Sequence, residues 1–97
     1  MDLALSDRVT VHPSVISREL AGETVLLNLE SGVYYGLDSV GTRVWQLLQQ
    51  DKTLADVCLA MVDEYDAPAD VLQNDISTLV HELCEKHLLM PRQPPEA

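Results

Sequence analysis

The sequence predicts an α+β fold, in which a three-stranded antiparallel sheet is followed by three helices. Up to Leu37, short segments alternate apolar and polar residues, which is typical of β-strands. From Val40 onward, apolar residues recur three and four positions apart, which is typical of amphipathic helices. With 97 residues the chain forms a single domain, which we place at residues 1–90. Residues 91–97 include three prolines and are predicted to be a disordered tail.

Three strands are predicted, at residues 9–12 continued by 15–18, at residues 24–29, and at residues 33–37. Pro13 interrupts the first of them, which indicates a position at a sheet edge. The other two form a hairpin, and Gly32 in its turn can take a positive φ. In the first strand of the hairpin we expect Val25, Leu27 and Leu29 to share a face, with Leu27 in the core.

The last strand, residues 33–37, offers a possible binding surface. Tyr35 shares one face of it with Val33 and Leu37, whereas Tyr34 faces the other way. If this strand lies at the sheet edge, its backbone N–H and C=O groups can pair with another chain. Packing within the hairpin explains the two tyrosines equally well, so both interpretations stay open.

The first two helices each have a recognisable start. Asp38 or Ser39 can cap the first, at residues 40–49, and Thr53 can cap the second. In the first helix Val40 and Val44 are predicted to join the core, and Trp45 to anchor the helix on the sheet. The second helix carries a regular apolar stripe of Leu54, Val57, Cys58, Met61, Val62 and Tyr65.

The third helix is predicted from about residue 68 to His87, and Pro68 suits its first turn. Its apolar stripe consists of Leu72, Ile76, Leu79, Val80 and Leu83, widened by Val71. Residues 88–90 then form a short strand or pack as a tail. A small sheet and a short turn at residues 66–68 between the last two helices together indicate a winged helix-turn-helix.

Charge argues against the usual partner of that fold. A winged helix-turn-helix commonly inserts its last helix into DNA. Here that helix carries four acidic residues against the single Lys86, and the whole chain has a net charge of −10. Phosphate repels such a surface, so we expect binding neither to nucleic acid nor to anionic membranes. A transcriptional regulator of the winged-helix type is kept as the alternative.

No catalytic or metal-binding chemistry is predicted. His81, Cys84 and His87 follow one another at three-residue steps, but a zinc site needs a fourth ligand from elsewhere. Cys58 lies in a core stripe without a visible activating group. We therefore expect a protein that is not an enzyme and uses no cofactor. Two cysteines without a disulfide framework suit a reducing cytoplasm.

The pattern Leu-Asn-Leu-x-Ser-Gly-x-Tyr-Tyr-x-Leu-Asp-x-Val-Gly-x-x-x-Trp-x-Leu-Leu at residues 27–48 resembles the PqqD-like proteins. The similarity continues over residues 53–89. These proteins are recognition elements for the leader peptides of ribosomally synthesised, modified peptides, in lasso-peptide and quinone-cofactor biosynthesis among others. The resemblance implies a non-catalytic domain with two partners, a precursor peptide and a modifying enzyme or protease. It implies that the leader adds as a strand beside the third strand and the third helix.

Carried onto this chain, the resemblance places the binding groove between residues 33–37 and residues 68–87. Asp75 and Glu82 could meet a Lys or Arg of the leader. Which side chains of the helix face the groove rather than the core is left open. We expect a monomer or weak homodimer, and a structural subunit that dimerises through the same edge is a second rival. The predicted peptide-binding residues are Val33, Tyr34, Tyr35, Gly36, Leu37, Leu72, Asp75, Ile76, Leu79, Glu82 and Leu83.

Overall fold

A computed structural model describes residues 4–92 and confirms the α+β class. A three-stranded antiparallel sheet precedes three helices, as predicted, and a second, two-stranded sheet is added. The elements are β1 (Arg8–Val11), β2 (Val15–Leu20), β3 (Glu23–Asn28), β4 (Tyr34–Leu37), α1 (Ser39–Leu48), α2 (Leu54–Glu64), α3 (Ala69–Glu85) and β5 (Leu89–Arg92).

The larger sheet has the order β2-β3-β4, so β4 lies at one edge. Gly32 takes a φ of +77° in the β3–β4 turn, the conformation that glycine tolerates best. The side chain of Asn28 closes the same turn, because its Oδ1 accepts hydrogen bonds from the backbone N–H groups of Glu30 and Ser31. The predicted hairpin is therefore present, with its turn where the sequence placed it.

The prediction of one interrupted first strand is wrong. The chain bends at Pro13 into two strands that belong to different sheets, and β1 pairs antiparallel with β5. Its partner lies about eighty positions later in the sequence, so no local pattern could reveal the pairing. Pro91 and Arg92, which we had placed in the tail, are part of β5. The rest of the predicted tail, residues 93–97, lies outside the described residues.

The two faces of β3 are the reverse of the prediction. Thr24, Leu26 and Asn28 are buried against the helices, whereas Val25 is 49% exposed and Leu29 63% exposed. Leu27 is only half-buried. The strand carries large apolar residues on both faces, so alternation alone could not identify the inner one. The inner face also holds the polar side chain of Asn28, whose Nδ2 donates to the carbonyl oxygen of His87 at 2.7 Å.

The helices agree more closely with prediction. Asp38 caps α1 and Thr53 caps α2 through side-chain oxygens that accept from the N–H groups three residues later. Trp45 is buried in the core, as are the first four residues of the α2 stripe. Two expected core residues are not: Val40 is 40% exposed and Val71 49% exposed. In the part of the chain that the structure describes, no helix is long and apolar enough to span a bilayer.

Candidate functional site

A cleft of about 370 Å³ opens between the edge strand β4, the start of α1 and one side of α3. Its walls are mostly apolar, with two carboxylates among them. The lining residues are Tyr35, Gly36, Leu37, Asp38, Val40, Gly41, Val44, Leu72, Asp75, Ile76 and Leu79. The cleft is thus bounded on one side by a strand edge and on the other by a helix.

The pairing of β4 with β3 indicates which residues of β4 direct their backbone N–H and C=O groups toward the open edge. The N–H of Asn28 donates to the carbonyl oxygen of Val33, so these two residues, one step beyond the Leu27–Tyr34 pair that ends the ladder, face each other as a pair joined by one hydrogen bond. Since such pairs alternate in an antiparallel ladder, Tyr35 and Leu37 also direct their backbone groups toward β3. Tyr34 and Gly36 consequently direct their N–H and C=O groups toward the open edge. An added strand would find its backbone partners at these two residues.

Most of the residues predicted for the site meet at this cleft. Seven of the eleven line it: Tyr35, Gly36, Leu37, Leu72, Asp75, Ile76 and Leu79. Of the other four, Leu83 is a core residue at 1% exposure, and Tyr34 lies on the outer face of the sheet at 74% exposure. Val33 precedes β4 and is half-buried, and Glu82 contacts Tyr35 beyond the cleft lining.

Four lining residues were not among those predicted: Asp38, Val40, Gly41 and Val44. All belong to the first turns of α1 or to its cap. Because α1 begins directly after β4, its first turn must lie at the end of the strand edge. The short connection through Asp38 was visible in the sequence and is the signal that could have identified them.

The two ends of the cleft carry different polar groups. Asp38 and Asp75 lie at the end near the α1 cap, although Oδ1 of Asp38 is engaged with the N–H of Gly41 at 2.8 Å. At the other end, burial raises the pKa of the Tyr35 phenol, and the neighbouring Glu82 carboxylate raises it further. Tyr35 therefore stays protonated beside the Glu82 carboxylate. The Lys86 ammonium lies 6.0 Å from the centre of the Tyr35 ring.

Cys58, Cys84 and His81, the reactive side chains that the sequence singled out, do not line the cleft. Burial raises the pKa of both the Cys58 and the Cys84 thiols, which disfavours the nucleophilic thiolate. His81 pairs with Glu85 along the surface of α3 at 3.1 Å. Within residues 4–92, no three His, Cys, Asp or Glu side chains come together in a group able to hold a metal ion.

Comparison with known proteins points to one family. The model of the family described as Coenzyme PQQ synthesis protein D (PqqD) matches residues 23–89, more than half of the chain. No curated protein matches the sequence.

Two solved structures share the fold. TbiB1 in complex with the TbiA(beta) leader peptide is 32% identical, with a TM-score of 0.80 over 87% of this chain and 98% of that one. A lasso peptide synthetase B1 complexed with the leader peptide is 26% identical, with a TM-score of 0.80 over 87% and 99% of the two chains.

Proposed function

The chain belongs to the PqqD family, as the sequence pattern indicated, and from this premise we propose that it is a leader-peptide-binding protein. The leader of a ribosomally synthesised precursor would add to β4 as a further strand, in the cleft beside α3. The protein would then present the rest of the precursor to a modifying enzyme, such as a leader peptidase, a cyclase or a radical enzyme. The precursor would be of the lasso-peptide or quinone-cofactor type.

Among residues 4–92 no strand pairs with the outer edge of β4, and this open edge is the observation that carries the proposal. An added strand needs unpaired backbone groups and a surface for its side chains, and both are found together here. Hydrogen bonds to Tyr34 and Gly36 would each contribute about 0.5–1.5 kcal/mol, too little to select one sequence. Selection would come from side chains that enter the cleft, where Leu72, Ile76 and Leu79 form an apolar wall.

We propose further that the protein itself performs no chemistry. A bound leader raises the effective concentration of the precursor at the enzyme, and this alone accelerates the enzyme's reaction. Two unpaired cysteines, Cys58 and Cys84, are in keeping with a reducing compartment, and we propose the cytoplasm. The winged-helix DNA-binding alternative has no support from the comparisons, and the acidic surface of α3 remains unfavourable for it.

Fluorescence anisotropy tests the proposal. The probes are two fluorescein-labelled peptides, the leader of the precursor encoded beside the gene and the TbiA(beta) leader. We expect saturable binding of at least the first, with a dissociation constant in the micromolar range or below. Absence of binding at about 100 μM protein, equivalent to less than roughly 5.5 kcal/mol of affinity, would refute it. A labelled random DNA duplex at low salt should show no change in anisotropy on addition of the protein, whether or not the leader binds.

The expected monomer or weak homodimer is tested by size-exclusion chromatography across protein concentrations, with and without the leader. If two copies paired through β4, they would cover the edge that the leader needs. Addition of leader would then dissociate the dimer. A dimer that persists with the leader bound would show that β4 is not the shared surface.

A further inference from the structure

Of the four glycines in the chain, one occupies a position at which the fold itself does not require glycine. Gly22 and Gly32 take φ values of +82° and +77°, which side chains other than glycine rarely adopt. A side chain at Gly41 would be crowded, because its Cβ would stand 3.3 Å from Oδ1 of Asp38. Gly36 has neither constraint. Its φ is not in the left-handed region, and a Cβ would meet nothing within 4 Å.

A glycine in this position carries a cost. Gly36 lies in β4, where glycine loses more backbone entropy on folding than other residues and has no side chain to pack. A β-branched residue would suit the strand better. Glycine inside a strand often marks a place where a ligand or another backbone approaches closely. The isolated fold therefore gives no reason for the missing side chain at Gly36.

Two exposed side chains flank the space above Gly36 on the outer face of the sheet. On the outer face of the sheet, Gly36 pairs across the strands with Val25, and Tyr34 lies two residues before it on the same face. Val25 is 49% exposed, and Tyr34 is 74% exposed. The missing side chain leaves an open notch at the strand edge, with the Gly36 backbone as its floor and the Val25 isopropyl group and the Tyr34 phenol ring on two of its sides.

We infer that this notch is a second subsite for the added strand, and that it receives an aromatic side chain; this inference rests on the proposed function. A strand paired with β4 places one residue level with Gly36, and its side chain points to the outer face. An aromatic ring there can cross over the glycine and cover Val25, an arrangement known to stabilise glycines at sheet edges. It can also contact the ring of Tyr34 edge-on or offset. Recognition would therefore use both faces of the added strand.

Gly36→Val is the test, because it fills the notch without disturbing the fold. We expect a melting temperature equal to or above that of the wild type, followed through the fluorescence of the buried Trp45. For the labelled leader encoded beside the gene, we expect the dissociation constant to rise at least about tenfold. Arg18→Val is the matched control, since Arg18 lies in the same cross-strand row on β2, at the opposite edge of the sheet from β4. In about 300 mM NaCl, where the effect of losing the Arg18 charge is screened, Arg18→Val should leave the affinity for the leader unchanged.

A leader scan identifies the chemistry of the occupant. In the wild type, replacement of one aromatic leader residue by alanine should weaken binding strongly, and in Gly36→Val the same replacement should have little further effect. Loss of binding in Gly36→Val without such a coupled aromatic position would overturn the aromatic assignment. Unchanged binding by Gly36→Val would overturn the subsite and leave the proposed function standing. Failure of the wild type to bind would refute the proposed function itself.

Discussion

At the scale of single residues, Asn28 connects two distant parts of the chain. Its side chain is buried, holds the β3–β4 turn through Oδ1, and reaches the His87 carbonyl oxygen through Nδ2. His87 itself has a φ of +58°, where α3 ends and the chain reverses toward β5. One amide therefore fixes both the hairpin turn and the exit from the last helix.

We predict that Asn28→Ala lowers the free energy of unfolding by about 2 kcal/mol. Three hydrogen bonds of roughly 0.5–1.5 kcal/mol each are lost, and the His87 carbonyl loses its partner. Urea denaturation followed by Trp45 fluorescence measures the change. Asn74→Ala, at an exposed position on α3, is the matched control and should stay within about 0.5 kcal/mol of the wild type. Equal effects of the two substitutions would contradict the role assigned to Asn28.

A second residue-scale contact gives a pH dependence. Arg43 on α1 donates to both carboxylate oxygens of Glu64 on α2, at 2.7 and 3.0 Å, and these bonds lower the pKa of Glu64 below 4.5. A carboxyl whose pKa is lowered by folding stabilises the protein above its unfolded pKa. That contribution is lost as the pH falls through the folded value. Glu64→Gln should therefore be less stable than the wild type at pH 7, and the difference in stability should disappear at a pH below the lowered pKa of Glu64. Urea midpoints at both pH values test this, and a constant difference would contradict it.

At the scale of elements, α3 divides its surface between two tasks. Leu72, Ile76, Val80 and Leu83 are buried and hold the helix on the rest of the domain. Leu79 is only partly buried and lies in the cleft wall. The helix thus remains anchored while one of its sides stays available.

We predict that Leu79→Asp weakens leader binding at least about tenfold, because a carboxylate replaces part of the apolar wall that an incoming side chain would contact. Melting temperature should change much less than for a substitution in the core. Leu59→Asp is the matched control, since Leu59 is 68% exposed on α2 and outside the cleft. If the two variants bind the leader equally well, Leu79 is not part of the site.

Elements also differ in how well the sequence predicts them. Both α2 and α3 have local signals, namely an apolar stripe in each, the Thr53 cap of α2 and Pro68 at the start of α3, and both lie where the sequence predicts them. The inner face of β3 was misjudged because Leu26 and Leu27 are equally apolar neighbours. Pairing of β1 with β5 depends on a contact between distant positions, which local patterns do not encode. For the cleft, the sequence indicated both walls but not the first turn of α1 that closes one end.

At the scale of the whole molecule, acidic side chains outnumber basic ones around the candidate site. The chain carries 16 acidic and 6 basic residues, and Asp38, Asp75 and Glu82 lie in or beside the cleft. Such a field attracts cationic segments and repels phosphate backbones over about a Debye length. A leader with a Lys or Arg near its binding segment is therefore the partner that this surface favours.

We predict that Asp75→Lys combined with Glu82→Lys weakens binding of a leader containing Lys or Arg about tenfold at low salt. In about 1 M NaCl, where the Debye length is near 3 Å, the difference should largely disappear. Asp70→Lys combined with Glu85→Lys changes the net charge equally on the same helix but outside the cleft lining. This control should weaken leader binding less than the first variant does. An equal loss of affinity would show that binding depends on the net charge of the protein and not on Asp75 and Glu82. Unchanged affinity of the first variant at low salt would refute the contact.

The pairing of β1 with β5 has a mechanical consequence. Arg8 lies opposite Arg92, so the first residue of β1 and the last residue of β5 stand one strand spacing apart, about 5 Å, at the same end of the ladder. Tension applied between these ends would load the four cross-strand pairs one after another, as in the opening of a zipper. The three-stranded sheet and α3 would bear little of that load. If the domain were tethered through both ends within a larger assembly, the β1–β5 ladder would yield first and the cleft would keep its shape.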